Sequence, residues 1–90
     1  MPTHPQPLPS FRIDTPQQLR VILRTLRQSR GLTQAQLGVL IGVSQKRIAR
    51  IEAAPEVTSF DQIARMVAAM GCSIVIQQAD ARQPPGTHAW

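Results

Sequence analysis

The sequence predicts a mainly α-helical domain of four or five helices, followed by a short β-strand. Residues that cap helices recur just ahead of segments whose apolar side chains have helical spacing. Glycine ends most of these segments, as it does at many helix C-termini. After Gly71 the period changes, and residues 72–78 are rich in β-branched side chains. The chain of 90 residues is long enough for one domain.

The first predicted helix begins after Thr15 as N-cap, with Pro16 in the first helical position and Gln18 completing a capping box. It ends at Gly31. One face carries the apolar residues Leu19, Ile22, Leu23 and Leu26. The second helix follows the capping box of Thr33 and Gln36 and stops at Gly42. Its predicted inner residues are Leu37, Leu40 and Ile41.

Ser44 is the predicted N-cap of a third helix, which turns Ile48 and Ile51 inward. The fourth helix follows a further capping box, formed by Ser59 and Gln62, and ends at Gly71. We expect its core stripe to contain Phe60, Ile63, Ala64, Val67 and Met70, with Met66 also filling the core. The folded domain is therefore expected over 11–78, between a flexible Pro-rich arm at 1–10 and a flexible tail at 79–90.

The strand predicted at 72–78 has no clear partner within the chain. A lone strand leaves its backbone donors and acceptors unpaired, so we expect it to pair antiparallel with the same strand of a second copy. A weaker alternative is pairing with residues 11–13. The predicted dimerisation residues are Cys72, Ile74, Val75 and Ile76.

Charge indicates the class of partner. Ten Lys and Arg against five Asp and Glu give a net charge of +5, and no acid lies between Asp14 and Glu52. A basic chain of this kind favours nucleic acid over a membrane surface. One cysteine excludes a disulfide framework, and no clustered Cys or His predicts a metal or catalytic site. We expect a cytoplasmic protein that is not an enzyme and needs no cofactor.

Helices two and three have the spacing of a helix-turn-helix, with small Gly38 where the helices cross and Gly42 in the turn. The outer face of helix three is polar and basic. An amide can pair with adenine, and Lys or Arg with guanine, in the major groove. The predicted base-reading residues are Gln45, Lys46, Ala49 and Arg50. The predicted DNA-backbone contacts are Gln34, Thr33, Ser44 and Arg47.

Residues 15–71 resemble the phage-repressor-like helix-turn-helix family of the XRE or Cro/C1 type. The resemblance is carried by Leu23, Arg27, residues 31–34, Leu37, residues 42–45, Ile48 and residues 51–52. It implies that Gln34 holds a phosphate and that base reading starts at Gln45 and Lys46. It also implies a structural pair between Arg27 and Glu52. The family usually has alanine where this chain has Gly38, which weakens helix two slightly.

The segment 12–19, the strand and Trp90 further resemble HipB-like antitoxins of HipBA toxin–antitoxin modules. That resemblance implies a homodimer closed by a two-stranded lid, an inverted-repeat operator and repression of its own operon. It also implies a HipA-like Ser/Thr kinase toxin as partner. Trp90 is a candidate toxin contact or, equally, part of a tail that is loose or packs against its own dimer. Two alternatives stay open: a repressor without a toxin, and an adaptor that binds only protein.

Overall fold

The computed structural model describes residues 9–79 as a small helical domain. Its helices, in chain order, are α1 (Pro16–Ser29), α2 (Gln34–Ile41), α3 (Gln45–Ala53) and α4 (Phe60–Ala69), with a 3₁₀ turn at Pro55–Val57 between α3 and α4. The mainly α-helical fold predicted from the sequence is confirmed. Most of the predicted arm and tail, including Trp90, lies outside the described residues.

Side chains that accept hydrogen bonds start every α-helix where the sequence predicts a start. Thr15 and Thr33 form complete capping boxes with Gln18 and Gln36. Ser44 accepts the N–H of the third residue of α3. The capping box predicted at α4 is only half formed in the described chain: Ser59 accepts the backbone N–H of Gln62, with no bond in return. These caps set the helix boundaries because they satisfy donors that the helix leaves unpaired.

All four helices contribute to one apolar core. Its buried residues are Leu23, Leu26, Leu37, Ile41, Ile48, Ile51, Ile63, Met66, Val67 and Met70. Two predicted core residues are exposed instead, Leu40 by 59% and Phe60 by 69%. Leu40 lies roughly 80° around α2 from the centre of the face that Leu37 and Ile41 turn inward. Phe60 is the first residue of α4, one turn before the buried part of that helix begins.

The crossing of α2 and α3 leaves no room for a side chain at Gly38. A Cβ atom built there would lie 2.5 Å from the carbonyl oxygen of Val43. The N–H of Val43 also donates to the Gly38 carbonyl at 2.9 Å. The turn itself needs the left-handed backbone of Gly42, with φ of 75°. The close approach accounts for the small residue that the helix-turn-helix spacing predicts at Gly38, and it opposes the loss of helix propensity that glycine brings.

One further hydrogen bond positions α4. Arg65 of α4 donates to the carbonyl of Ile41 at 2.6 Å and so holds the C-terminus of α2 against α4.

Residues 72–79 have no helix or strand in the single chain, and Ile74, Val75 and Ile76 are exposed. Between residues 9 and 79, no helix has both the length and the apolarity to cross a bilayer.

Candidate nucleic-acid interface

The outward face of α3 presents the side chains that the sequence assigns to base reading. Gln45, Lys46 and Arg50 are exposed, and Ala49 between them is half-buried. The opposite face is held by Ile48 and Ile51, which are fully buried. Because the core fixes the rotation of α3, its polar and basic side chains project together from the domain.

The one acidic residue of α3, Glu52, is turned away from that face. Only 1% of its side chain is exposed, and it forms an ion pair with Arg27 of α1, whose Nε lies 2.5 Å from a carboxylate oxygen. The second carboxylate oxygen accepts a bond from Arg27 Nη2 at 3.2 Å. The structure thus brings together the two residues that the family resemblance pairs. The pairing also removes negative charge from the exposed surface of α3.

Gln34, at the first position of α2, is tied into the same network. Its side-chain Nε2 donates to Glu52 at 3.1 Å, and the residue is half-buried. Arg27 additionally donates to the carbonyl of Leu32 at 2.9 Å, just ahead of α2. The ion pair therefore fixes the start of α2 relative to α1 and α3. Sequence reasoning paired Arg27 with Glu52 but missed that Gln34 completes the network.

The hydroxyl groups of Thr33 and Ser44 lie at the N-termini of α2 and α3. Each accepts a backbone N–H within its helix, at 3.0 Å from Gln36 to Thr33 and at 3.0 Å from Arg47 to Ser44. Each hydroxyl retains its own proton for donation to another acceptor. Both helix starts also carry unpaired N–H groups and the positive end of the helix dipole, which favour an anion.

A groove runs between the end of α1 and the starts of α2 and α3. It is lined by Arg24, Arg27, Gln28, Gly31, Leu32, Thr33, Gln34 and Gln45. The groove joins one predicted base reader, Gln45, to two predicted backbone contacts. Arg24 and Gln28 are lining residues that were not assigned from the sequence. The available signal was the spacing of Arg24, one helical turn before Arg27 in the acid-free stretch.

The predicted dimerisation and toxin-contact residues belong to the C-terminal part of the chain. Cys72 is half-buried and packs against the core, whereas Ile74, Val75 and Ile76 extend beyond it, 47%, 77% and 97% exposed. Trp90 lies outside the described residues. Of the predicted dimerisation residues, only Cys72 packs against the core of the domain.

Comparison with known proteins gives the family. A model described as a helix-turn-helix domain matches residues 18–75. The chain belongs to the helix-turn-helix family. Its fold resembles a HipB variant in complex with an O2 20mer, with 29% identity, a TM-score of 0.70, and coverage of 77% of this chain and 96% of that one. A HipB–O4 20mer complex is 28% identical, with a TM-score of 0.70 over 77% and 97% of the two chains.

A third solved structure, a HipB–O1–O2 complex, is 27% identical with a TM-score of 0.69 over 74% of this chain and 97% of that one. No curated protein sequence matches the chain significantly. The resemblance to a HipB-like helix-turn-helix, predicted over about residues 11–78 and the final residue, is therefore confirmed for the helix-turn-helix. The similarity extends over nearly the whole length of the HipB chains in these structures.

Proposed function

We propose that this chain is a sequence-specific DNA-binding antitoxin and autorepressor of a HipBA-type module. The observation that carries the proposal is the basic, acid-free outer face of α3, displayed on a fold similar to HipB in complex with operator 20mers. A helix-turn-helix places its second helix in the major groove, where side chains near the start of that helix contact base edges. Here α3 is that helix, and the protein is a DNA-binding regulator.

Two sets of side chains have different roles on DNA, one in base contacts and the other in phosphate contacts. Gln45, Lys46, Ala49 and Arg50 read bases from the exposed face of α3. Gln34, Thr33, Ser44 and Arg47 hold phosphates around it, with the N-termini of α2 and α3 adding their N–H groups. Phosphate contacts fix the register of the protein on the duplex, and base contacts give sequence preference.

Dimerisation through 72–78 completes the reading of the operator. The side chains of Ile74, Val75 and Ile76 are exposed in the single chain, and pairing with a second copy would bring apolar side chains of the two strands together and pair the backbone groups along their shared edge. A two-fold dimer presents two copies of α3, so the operator is an inverted repeat with half-sites one turn or a multiple apart.

The proposed toxin partner is a HipA-like Ser/Thr kinase. It would bind away from the α3 face and contact α1, α4 and the tail, so that DNA, antitoxin and toxin assemble together. Trp90 is the candidate anchor, since tryptophan is enriched at interface hot spots. This part of the proposal is supported by the similarity to HipB over almost its full length.

The test measures binding of the full chain to DNA from its own promoter. Fluorescence anisotropy gives the affinity, and footprinting gives the position and symmetry of the site. We expect a two-fold symmetric footprint and an affinity that falls by about 10³–10⁵ between roughly 50 and 200 mM salt, as expected for about 6–10 phosphate contacts. An affinity insensitive to salt, or a footprint lacking two-fold symmetry, would contradict DNA reading by α3.

The toxin is tested separately by co-expression with the neighbouring kinase gene. Deletion of residues 80–90 should preserve operator binding while weakening the kinase complex and the protection of cell growth. If no kinase gene lies next to the gene of this chain and no kinase copurifies with the protein, the chain is instead a stand-alone repressor. That second candidate uses the same α3 face and differs only in its partner.

A further inference from the structure

Arg30 joins two parts of the chain that are forty residues apart. It is the C-cap of α1, and its Nε donates to the backbone carbonyl of Met70 at 2.7 Å. Its Nη2 lies 3.6 Å from Sγ of Cys72. Met70 is the C-cap of α4, and Cys72 opens the segment 72–78 that we propose as the dimerisation strand. One guanidinium thus contacts both the end of α4 and the first residue of that strand.

The chemistry of this contact is favourable. The carbonyl groups at a helix C-terminus carry partial negative charge, so a guanidinium there makes a charge-assisted hydrogen bond. The main chain turns at the same place: the Gly71 N–H donates to Ala68 and the Cys72 N–H to Val67, both at 3.0 Å. These two bonds form a Schellman motif. The direction in which the chain leaves α4 is therefore fixed by its own backbone and by Arg30.

The same arginine belongs to the corner that leads into the DNA-binding helices. Its backbone N–H bonds to carbonyls of α1, and the following Gly31 and Leu32 close a second Schellman turn onto Gln28 and Arg27. The chain then enters α2, which begins at Gln34. Arg30 therefore links the exit of 72–79 to the corner that positions the groove residues.

We propose that Arg30 is a positioning residue that sets the operator spacing accepted by the dimer. The inference rests on the proposed function, in which two domains are joined through their 72–78 strands. In such a dimer the angle at which each strand leaves its domain fixes the distance and rotation between the two copies of α3. Inserting one base pair rotates a half-site by about 35° and shifts it by about 3.4 Å, so a rigid exit restricts the dimer to one spacing.

The experiment measures binding of the full chain to the inverted repeat footprinted at its own promoter. Variants of that DNA have a centre shortened or lengthened by one base pair, and a further probe contains a single half-site. We expect the wild-type chain to prefer the original spacing by about tenfold or more, the effect of one well-formed charge-assisted hydrogen bond. Arg30→Gln should lower this preference to about threefold or less, with half-site affinity retained.

Two further variants should reduce the spacing preference by less than Arg30→Gln does. Arg30→Lys retains the charge and one donor for the Met70 carbonyl but lacks the second arm toward Cys72, so it should keep an intermediate spacing preference. Cys72→Ala removes the sulfur contacts with Arg30 and the Met70 carbonyl and some packing on the core, but it keeps the bond from Arg30 to Met70, so it should reduce the spacing preference less than Arg30→Gln. Arg24→Gln is the matched control: it removes one charge from α1 without touching residues 70–72. It should weaken binding equally at every spacing.

The outcomes separate the two proposals. An Arg30→Gln dimer that keeps the wild-type spacing preference overturns the role of Arg30 and leaves the proposed function standing. Loss of half-site affinity and melting temperature together, with spacing preference unchanged, shows a structural contact only and also overturns it. A wild-type chain that binds the inverted repeat without dimerising overturns the dimer in the proposed function, and the spacing role with it.

Discussion

The helical domain at residues 16–70 and the segment at 72–79 differ in whether their apolar side chains are buried within the chain. In the helical domain, apolar side chains from all four helices bury one another, and the buried charge of Glu52 has its partner inside the fold. In the segment, three consecutive apolar side chains lie exposed beyond the domain, up to 97% at Ile76. A domain that buries its apolar side chains and pairs its buried charges can fold as a single chain. An exposed apolar segment, in contrast, indicates an interaction surface.

This contrast makes the segment the place where a substitution alters assembly without altering the domain. Ile74→Pro removes a ladder donor from the proposed strand and should convert the dimer to a monomer in sedimentation experiments. Affinity for the inverted repeat should fall by about 10²–10⁴-fold, because the second half-site is no longer held at high effective concentration.

The same variant should melt at nearly the wild-type temperature once dimer dissociation is taken into account, since Ile74 is outside the core. Ile74→Val keeps a β-branched strand residue and is the matched control. A fully dimeric Ile74→Pro chain with unchanged DNA affinity would refute pairing through 72–78.

The helical domain is most sensitive at Glu52. Replacing Glu52 with alanine leaves the Arg27 guanidinium, itself largely buried, without its carboxylate, and it also removes the acceptor of Gln34. We expect a loss of about 3–5 kcal/mol in the free energy of unfolding, the cost of stranding a buried charge. Chemical denaturation measures it, with exposed Glu56→Ala as the control.

A Glu52→Ala domain as stable as the wild type would show that the network adds nothing to the fold. The base-reading side chains of α3 should be affected only through the loss of folded protein, whereas release of Gln34 from Glu52 should weaken binding evenly across sequences. Without denaturant and at low temperature, the folded fraction of Glu52→Ala should therefore retain the preference of the wild type for its operator sequence.

The sequence predicted the helices and their starts because capping and apolar periodicity are local. It also predicted the face of α3, since Ile48 and Ile51 fix which side is inward. It misjudged Leu40 and Phe60, which have apolar side chains at helical spacing but lie outside the arc that the other helices cover. It could not find the bond from Arg30 to Met70, because nothing local signals a partner forty residues away.

The DNA face offers a finer test of the division within the domain. Gln45→Ala and Lys46→Ala should each cost roughly 1–3 kcal/mol per subunit on the cognate operator and relax base preference. Gln34→Ala should weaken binding more evenly across sequences, because a phosphate contact carries no base information. Competition binding against operators with single base changes distinguishes the two patterns.

Equal loss of sequence preference from Gln34→Ala and Gln45→Ala would contradict the assignment of readers and holders. Because Gln34 also donates to Glu52, its variant needs a denaturation curve alongside the binding curve. The Gln45 side chain projects from the exposed face, so Gln45→Ala should leave stability within about 0.5 kcal/mol of the wild type.

The smallest expected effect concerns Gly38, where two principles oppose one another. In a helix, alanine is more favourable than glycine by about 1 kcal/mol, so Gly38→Ala should stabilise α2 on propensity alone. At this crossing, however, the new Cβ would lie 2.5 Å from the Val43 carbonyl oxygen, and backbone rather than a flexible side chain must move. Overpacking of this kind costs about 1–3 kcal/mol, so the net result should be a modest loss of stability. Gly38→Ala should lower the melting temperature by a few degrees and leave dimerisation through 72–78 intact. A higher melting temperature would mean that α2 and α3 separate readily at their crossing, and that helix propensity outweighs the close approach there.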